Sequence, residues 1–123
     1  MENNNKLEIS AIMKIPKGKL EKFKELAAES IRLTKKDTGT LKYDIYISSD
    51  ETHSEVREEY KNSEALLEHM VNLSEVQENA FIDFPVDHVN VYGTPSPELL
   101  EAVKDMDIRV YSFSHGLEEK IEA

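Results

Sequence analysis

A chain of 123 residues suffices for one domain with its own hydrophobic core and is too short for two ordinary ones. Fifteen Lys and Arg against 25 Asp and Glu leave a formal charge of -10, a field that repels nucleic-acid phosphates and anionic membranes. The chain has no cysteine, so disulfides, thiolate metal ligands and thiol nucleophiles are excluded together, and no apolar run reaches the roughly 18 residues that cross a bilayer. The expectation is a cytoplasmic protein without a signal peptide, because MENNNK lacks a basic start followed by an apolar core.

LEISAIMKI alternates with period two, placing Leu7, Ile9, Ala11, Met13 and Ile15 on one side of a strand. Pro16 and Gly18 break it. From Lys19 the period changes: Leu20, Phe23, Ala27 and Ile31, widened by Leu26, form the apolar stripe of an amphipathic helix. That helix should end at KKDTGT, where Asp37, Thr38 and Gly39 supply turn chemistry. LKYDIYI alternates again, with Leu41, Tyr43, Ile45 and Ile47 on one face and Lys42, Asp44 and Tyr46 on the other.

The polar SSDETHSE reads as a hairpin connection into a third strand, His53 to Tyr60, on which Val56, Glu58 and Tyr60 share a face. Asn62 or Ser63 can cap a following helix, by accepting a bond from an unpaired backbone N–H. Its inner side takes Ala65, Leu66 and Met70, with His69 beside them. Ser74-Glu75-Val76-Gln77 fits a capping box and predicts a separate short helix running towards Phe81. VDHVNVY, Val86 to Tyr92, is the fourth strand, closed by Gly93 and Pro95.

The order β-α-β-β-α-β predicts an α+β fold, a ferredoxin-like antiparallel sheet with helices on one face. The other face needs a cover, for which a second subunit is the simplest candidate, so a homodimer is expected. Residues 1–6 read as a disordered tail, 7–93 as the ferredoxin-fold domain, and 94–123 as a helix-strand extension of it. In that extension Ser96-Pro97 opens a short helix and DIRVYSF supplies a fifth strand, in this subunit or across to a partner.

GTLKYDIY, EEYKNSEALLEHM and the phenylalanine of ENAFIDF resemble the antibiotic biosynthesis monooxygenase family of small dimeric α/β-barrel proteins. The resemblance spans about Leu7 to Tyr92 and rests on Gly39, Tyr43, Glu58, Tyr60, Ala65, Leu66, His69 and Phe81. It implies a ferredoxin-like dimeric barrel with a pocket between sheet and helices. For those members that oxidise polycyclic phenols, it implies cofactor-independent oxygenation. The chain departs from several such enzymes in having no tryptophan.

Glu58 falls on the more apolar strand face, where an ionised carboxylate must be paired, wet or protonated. Desolvation would lift its pKa towards the range of a working acid or base. His69 titrates near neutrality and could take a phenolic proton or hold an oxyanion. Both also fit plain structural roles, as a strand-to-helix tie and a packed helix residue. Tyr43, Tyr60, Met13, Leu66, Met70 and Phe81 could wall a cavity for an aromatic guest, or make an ordinary core. The histidines at 53, 69, 88 and 115 lie on different elements without metal-ligand spacing, and no glycine-rich nucleotide loop occurs, so neither metal nor cofactor is expected. The leading functional expectation is a monooxygenase acting on a quinol or other electron-rich aromatic with dioxygen. A non-redox isomerase of a small oxygenated metabolite, and a non-catalytic ligand-binding or oligomerisation domain, remain the alternatives.

Overall fold

A computed structural model describes residues 5–118; the two ends, on which parts of the expected tail and charged C-terminus fall, lie outside the described residues. The elements run β1 (Leu7–Lys14), α1 (Leu20–Thr34), β2 (Thr40–Ile47), β3 (His53–Tyr60), α2 (Ser63–Asp83), β4 (Val86–Tyr92), α3 (Pro97–Ala102) and β5 (Ile108–Tyr111). The sheet order is β2-β3-β1-β4-β5. This is the ferredoxin-like arrangement with a C-terminal helix and strand added.

The register fixes which side chains share a face. Tyr43, Glu58, Ile9 and Val91 lie in one row across β2, β3, β1 and β4. The next row is Ile45, Val56, Ala11 and Val89, continued by Ile108 of β5. These rows face the helices. Leu7, Ile9, Tyr60, Ala65, Leu66, Val89, Val91 and Leu99 form one buried cluster beneath α2 and α3. A second cluster, Ile15, Phe23 and Phe84, seats α1, with Leu20, Leu26 and Ala27 of its stripe and Ile45 and Ile47 of β2 against it. The Phe23 and Phe84 rings meet edge to face at 5.3 Å between centroids.

Two expectations are corrected and one is filled in. The four strands of the ferredoxin-like unit pair antiparallel as expected, and β5 of the extension joins β4 of the same chain in parallel, so the whole sheet is mixed. A parallel neighbour needs a crossover rather than a hairpin, and α3 with its flanking loops supplies one. Leu41 does not join the inner face: the β2–β3 register slips between Thr40 and Lys42, and the resulting bulge leaves Leu41 55% exposed. The predicted break at Ser74 is absent. α2 runs unbroken for 21 residues, and the Ser74 hydroxyl donates back to the Val71 carbonyl at 3.0 Å instead of capping a new helix. The true cap is Asn62, whose Oδ1 accepts from the Ala65 N–H at 2.8 Å. Ser63 does other work: its Oγ accepts from the Ser96 N–H at 2.9 Å and ties the start of α2 to the start of α3.

Candidate functional site

Between the inner sheet face, α2 and the C-terminal extension lies a cavity of about 180 Å³. Met13, Tyr43, Glu58, Leu66, His69, Met70 and Phe81 all line it. Of the residues singled out in the sequence, only Tyr60 does not. It is 0% exposed within the core cluster, and its Oη–H donates to Glu58 Oε1 at 2.5 Å. Tyr60 therefore reaches the cavity only through the carboxyl it holds.

Glu58 occupies the centre of the polar corner because β3 alternates. It shares the inner face with Val56 and Tyr60, and stands directly across from Tyr43 on β2 and Ile9 on β1. Burial among these apolar neighbours pushes its carboxyl up from 4.5 to about 7, against the opposing pull of the Tyr60 hydrogen bond. With Tyr60 on Oε1, Oε2 is the oxygen free to carry the carboxyl proton.

His69 faces this group from α2. Its ring lies 4.8 Å from that of Tyr43 and 5.5 Å from that of Tyr60, centroid to centroid, over the two aromatics that flank Glu58. Nδ1 lies 2.7 Å from Asp37 Oδ2. Nε2 is buried with no hydrogen-bond partner among the described residues. Asp37 itself is fully buried, and it also accepts from the Thr40 hydroxyl and the Asn72 amide, each at 2.6 Å. Burial opposes its charge, but the hydrogen bonds from Thr40, Asn72 and His69 outweigh that and hold its carboxyl below the ordinary value. Burial pushes the His69 imidazole down more than Asp37 lifts it. The consistent state is an ionised Asp37 accepting from a neutral His69 through Nδ1–H, with the Nε2 lone pair left for a guest. The phenols of Tyr43 and Tyr60 are both raised, first by burial and then by the neighbouring Glu58 charge, so both stay protonated.

Asp37 is the site residue that sequence reasoning missed. In KKDTGT it reads as turn chemistry, and 32 residues separate it from His69. The available signal was indirect: a histidine on an apolar helix stripe needs a partner for Nδ1, and the loop ahead of the β2 strand brings a short carboxylate. Gly39, two residues on, has a packing reason. A Cβ there would stand 2.6 Å from that of Ala65, so glycine is what lets the loop lie against α2 and Asp37 reach His69. The other omission was the extension, whose Leu99, Leu100, Val103, Met106 and Ile108 complete the cavity wall.

Among the described residues, no group of three or more His, Asp or Glu converges in a way that could hold a metal ion. His53 and His88 are on β3 and β4, which are not neighbours, because β1 lies between them. No helix among the described residues is long and apolar enough to cross a membrane.

No protein-family model matches the sequence, and no curated protein matches it. Solved structures do. MupZ from Pseudomonas fluorescens aligns with a TM-score of 0.86 and 25% identity, over 97% of this chain and 93% of its own. A provisionally assigned antibiotic biosynthesis monooxygenase from Nitrosomonas europaea aligns with a TM-score of 0.64 and 18% identity, over 79% of this chain and 97% of its own. Another provisionally assigned one, from Caulobacter crescentus, gives 0.62 and 18% over 71% and 85%. Strand order, helix placement and these likenesses together show that the chain has the ferredoxin-like fold that these structures share, two of them provisionally assigned antibiotic biosynthesis monooxygenases.

Proposed function

We propose that the chain is a cofactor-independent acid–base enzyme of the oxidoreductase kind, in which His69 takes a proton from an electron-rich small molecule and Glu58 serves the oxygen end. One observation carries this reading. A neutral imidazole and a carboxyl that titrates near neutrality line the same apolar cavity, each held from behind by its own partner, Asp37 or Tyr60. Two titratable groups whose surroundings push them into complementary protonation states are what proton transfer in both directions requires.

For a quinol or activated aromatic, His69 Nε2 removes the acidic proton and the anion passes an electron to dioxygen. The radical pair then joins as a hydroperoxide. The proton held by His69 completes the hydroperoxide. Water is then lost from it, with His69 taking the hydrogen from the peroxide-bearing carbon as a proton and the Glu58 carboxyl protonating the departing hydroxide. This leaves one oxygen atom in the product as a carbonyl and the other in water, and the proton then passes from His69 back to Glu58. The apolar wall keeps bulk water from the anion. The fold shared with provisionally assigned monooxygenases supports this branch. A second branch, isomerisation of an oxygenated metabolite, is favoured by the Glu58–His69 complementarity itself, because moving a proton from one atom to another uses both groups and no dioxygen.

Dioxygen separates the branches. Single-ring alkylhydroquinones assayed with and without air should give uptake of one O2 per turnover in the wild type. Loss of a general acid or base slows such steps by about 10²- to 10⁴-fold, so H69A and E58Q should fall by that order. Turnover unchanged in both variants would remove these residues from the mechanism. Turnover of an enolisable substrate that persists without oxygen would assign the isomerase branch.

The expectation of a homodimer belongs to the same proposal. The sheet face away from the helices carries Ile12, Tyr46, Tyr92 and Tyr111 among charged residues, and Tyr92 stacks on Tyr111 with ring centroids 5.4 Å apart. A second subunit would cover these aromatics.

A further inference from the structure

The cavity is long, and its chemistry is confined to one end. Glu58 and Tyr43 belong to β3 and β2, whereas Ile108 belongs to β5, on the far side of β1 and β4. Three inter-strand spacings separate β3 from β5, about 14 Å at roughly 4.8 Å each. Between the ends the floor is Ile9, Ala11, Val89 and Val91, with no polar side chain among them. The far wall is Leu99, Leu100, Val103, Met106 and Ile108, all supplied by the extension and all apolar. Glu58 and His69 are the only lining residues that are acidic or basic, and Gln77, eight positions along α2 from His69, adds one neutral amide.

An apolar cavity of roughly 150 Å³ takes up benzene. A volume of about 180 Å³ drawn out over that length therefore accommodates a ring with a short chain, or a chain alone, and not a stack of fused rings. A charged guest has no counter-ion waiting at the far end, and a formal charge of -10 opposes an anion from the outset.

Resting on the acid–base reading of the same site, we propose that the substrate is an uncharged, elongated amphiphile. Its oxygen-bearing head lies at Glu58 and His69, and its hydrocarbon tail ends against Val103, Met106 and Ile108. In this assignment the α3–β5 extension determines specificity, by setting how long a tail the site accepts.

The test is a binding titration by calorimetry with phenol and its 4-n-alkyl homologues up to 4-pentylphenol, and with 4-pentylbenzoate as the anionic control. Each methylene buried in the channel should tighten binding about fourfold until the channel is full, and the benzoate should bind at least tenfold more weakly than 4-pentylphenol. Val103→Phe should shorten the preferred tail by one or more carbons and weaken 4-pentylphenol more than phenol; Met106→Ala should lengthen it. Two variants of opposite sign are used so that a folding defect in one does not decide the matter. Affinity that is flat along the series, absent throughout, or altered equally for phenol and 4-pentylphenol would overturn the proposal. Turnover takes no part in the titration. Length-dependent binding by a protein inactive towards both quinols and enolisable substrates would leave the elongated channel standing and remove the acid–base reading, whereas flat binding with His69-dependent turnover would do the reverse.

Discussion

Asp37 binds three partners at once, and each bond presents a group to something else. It fixes the tautomer of His69, holds Asn72 of α2, and takes the hydroxyl of Thr40 at the first residue of β2. Asp37→Asn keeps the shape but replaces one acceptor oxygen with a donor. One of these bonds must fail, and His69 loses its reason to carry the proton on Nδ1. The expected result is a stability loss of about 1–3 kcal/mol, read from urea midpoints, with a fall in kcat much larger than any change in KM. A normal kcat in a well-folded D37N would end the dyad interpretation. Glu58 gives a prediction in pH. Its carboxyl is raised from 4.5 to about 7, so between those values the folded chain keeps a proton that the unfolded chain has released. Its contribution to stability is complete below 4.5 and is lost as the pH rises through 7. His69, lowered from 6.5, works the other way, with stability rising up to that pH. Glu58→Gln removes only the first slope and can still accept from Tyr60. Measured from about pH 5 to pH 8, the variant should therefore gain on the wild type by as much as about 3 kcal/mol. A gap that stays constant across that range would mean Glu58 titrates normally.

At the scale of elements, the β2 entry packs tightly on α2 where Gly39 lies against Ala65, with no room for a Cβ. Gly39→Ala should cost about 1–3 kcal/mol through overpacking, and it should disturb His69 as well, because the loop it displaces carries Asp37. Ala65→Gly in the same chain opens the space again, so recovery of activity in the double variant, followed with stability, checks the contact; a harmless G39A refutes it. The elements themselves were legible because their periods were clean. Alternation at Leu7–Ile15 and His53–Tyr60, and the stripe through Phe23, dictate strands and helix without outside help. What misled was local chemistry overruled by packing. Ser74 has the pattern of a cap, yet Leu73 beside it is fully buried and the helix gains more by continuing under the core than by stopping. Leu41 had the right parity, but a bulge has no signature in hydropathy. The placing of Glu58 on the inner face was readable from parity alone; the Asp37–His69 contact was not, because it joins a loop to a helix across 32 residues.

On the scale of the whole molecule, the proposed dimer predicts a mass in sedimentation equilibrium of about twice the 14.1 kDa chain. Tyr46→Glu, on the outer face and 54% exposed, should shift that mass towards one chain, and a wild-type monomer would contradict the proposal. The parallel return of β5 could not be read in advance, since DIRVYSF has the same composition whichever neighbour and direction it takes. Only the three-dimensional path shows that this segment closes one end of the cavity. The continuity of α2 has a mechanical consequence. One rigid rod carries His69 near its start and Phe81 near its end, so it cannot swing outward to admit a guest without pulling the imidazole off Asp37. The far wall is made instead by the short outer pieces, α3 and β5, and the loop between them. They are secured to the rest by the Ser63–Ser96 bond, buried Leu99, the packing of Val103, Met106 and Ile108 against the core, a four-residue strand pairing and the Tyr92–Tyr111 stack. A change in α3 or β5 therefore alters the far end of the cavity without touching the Asp37–His69 contact.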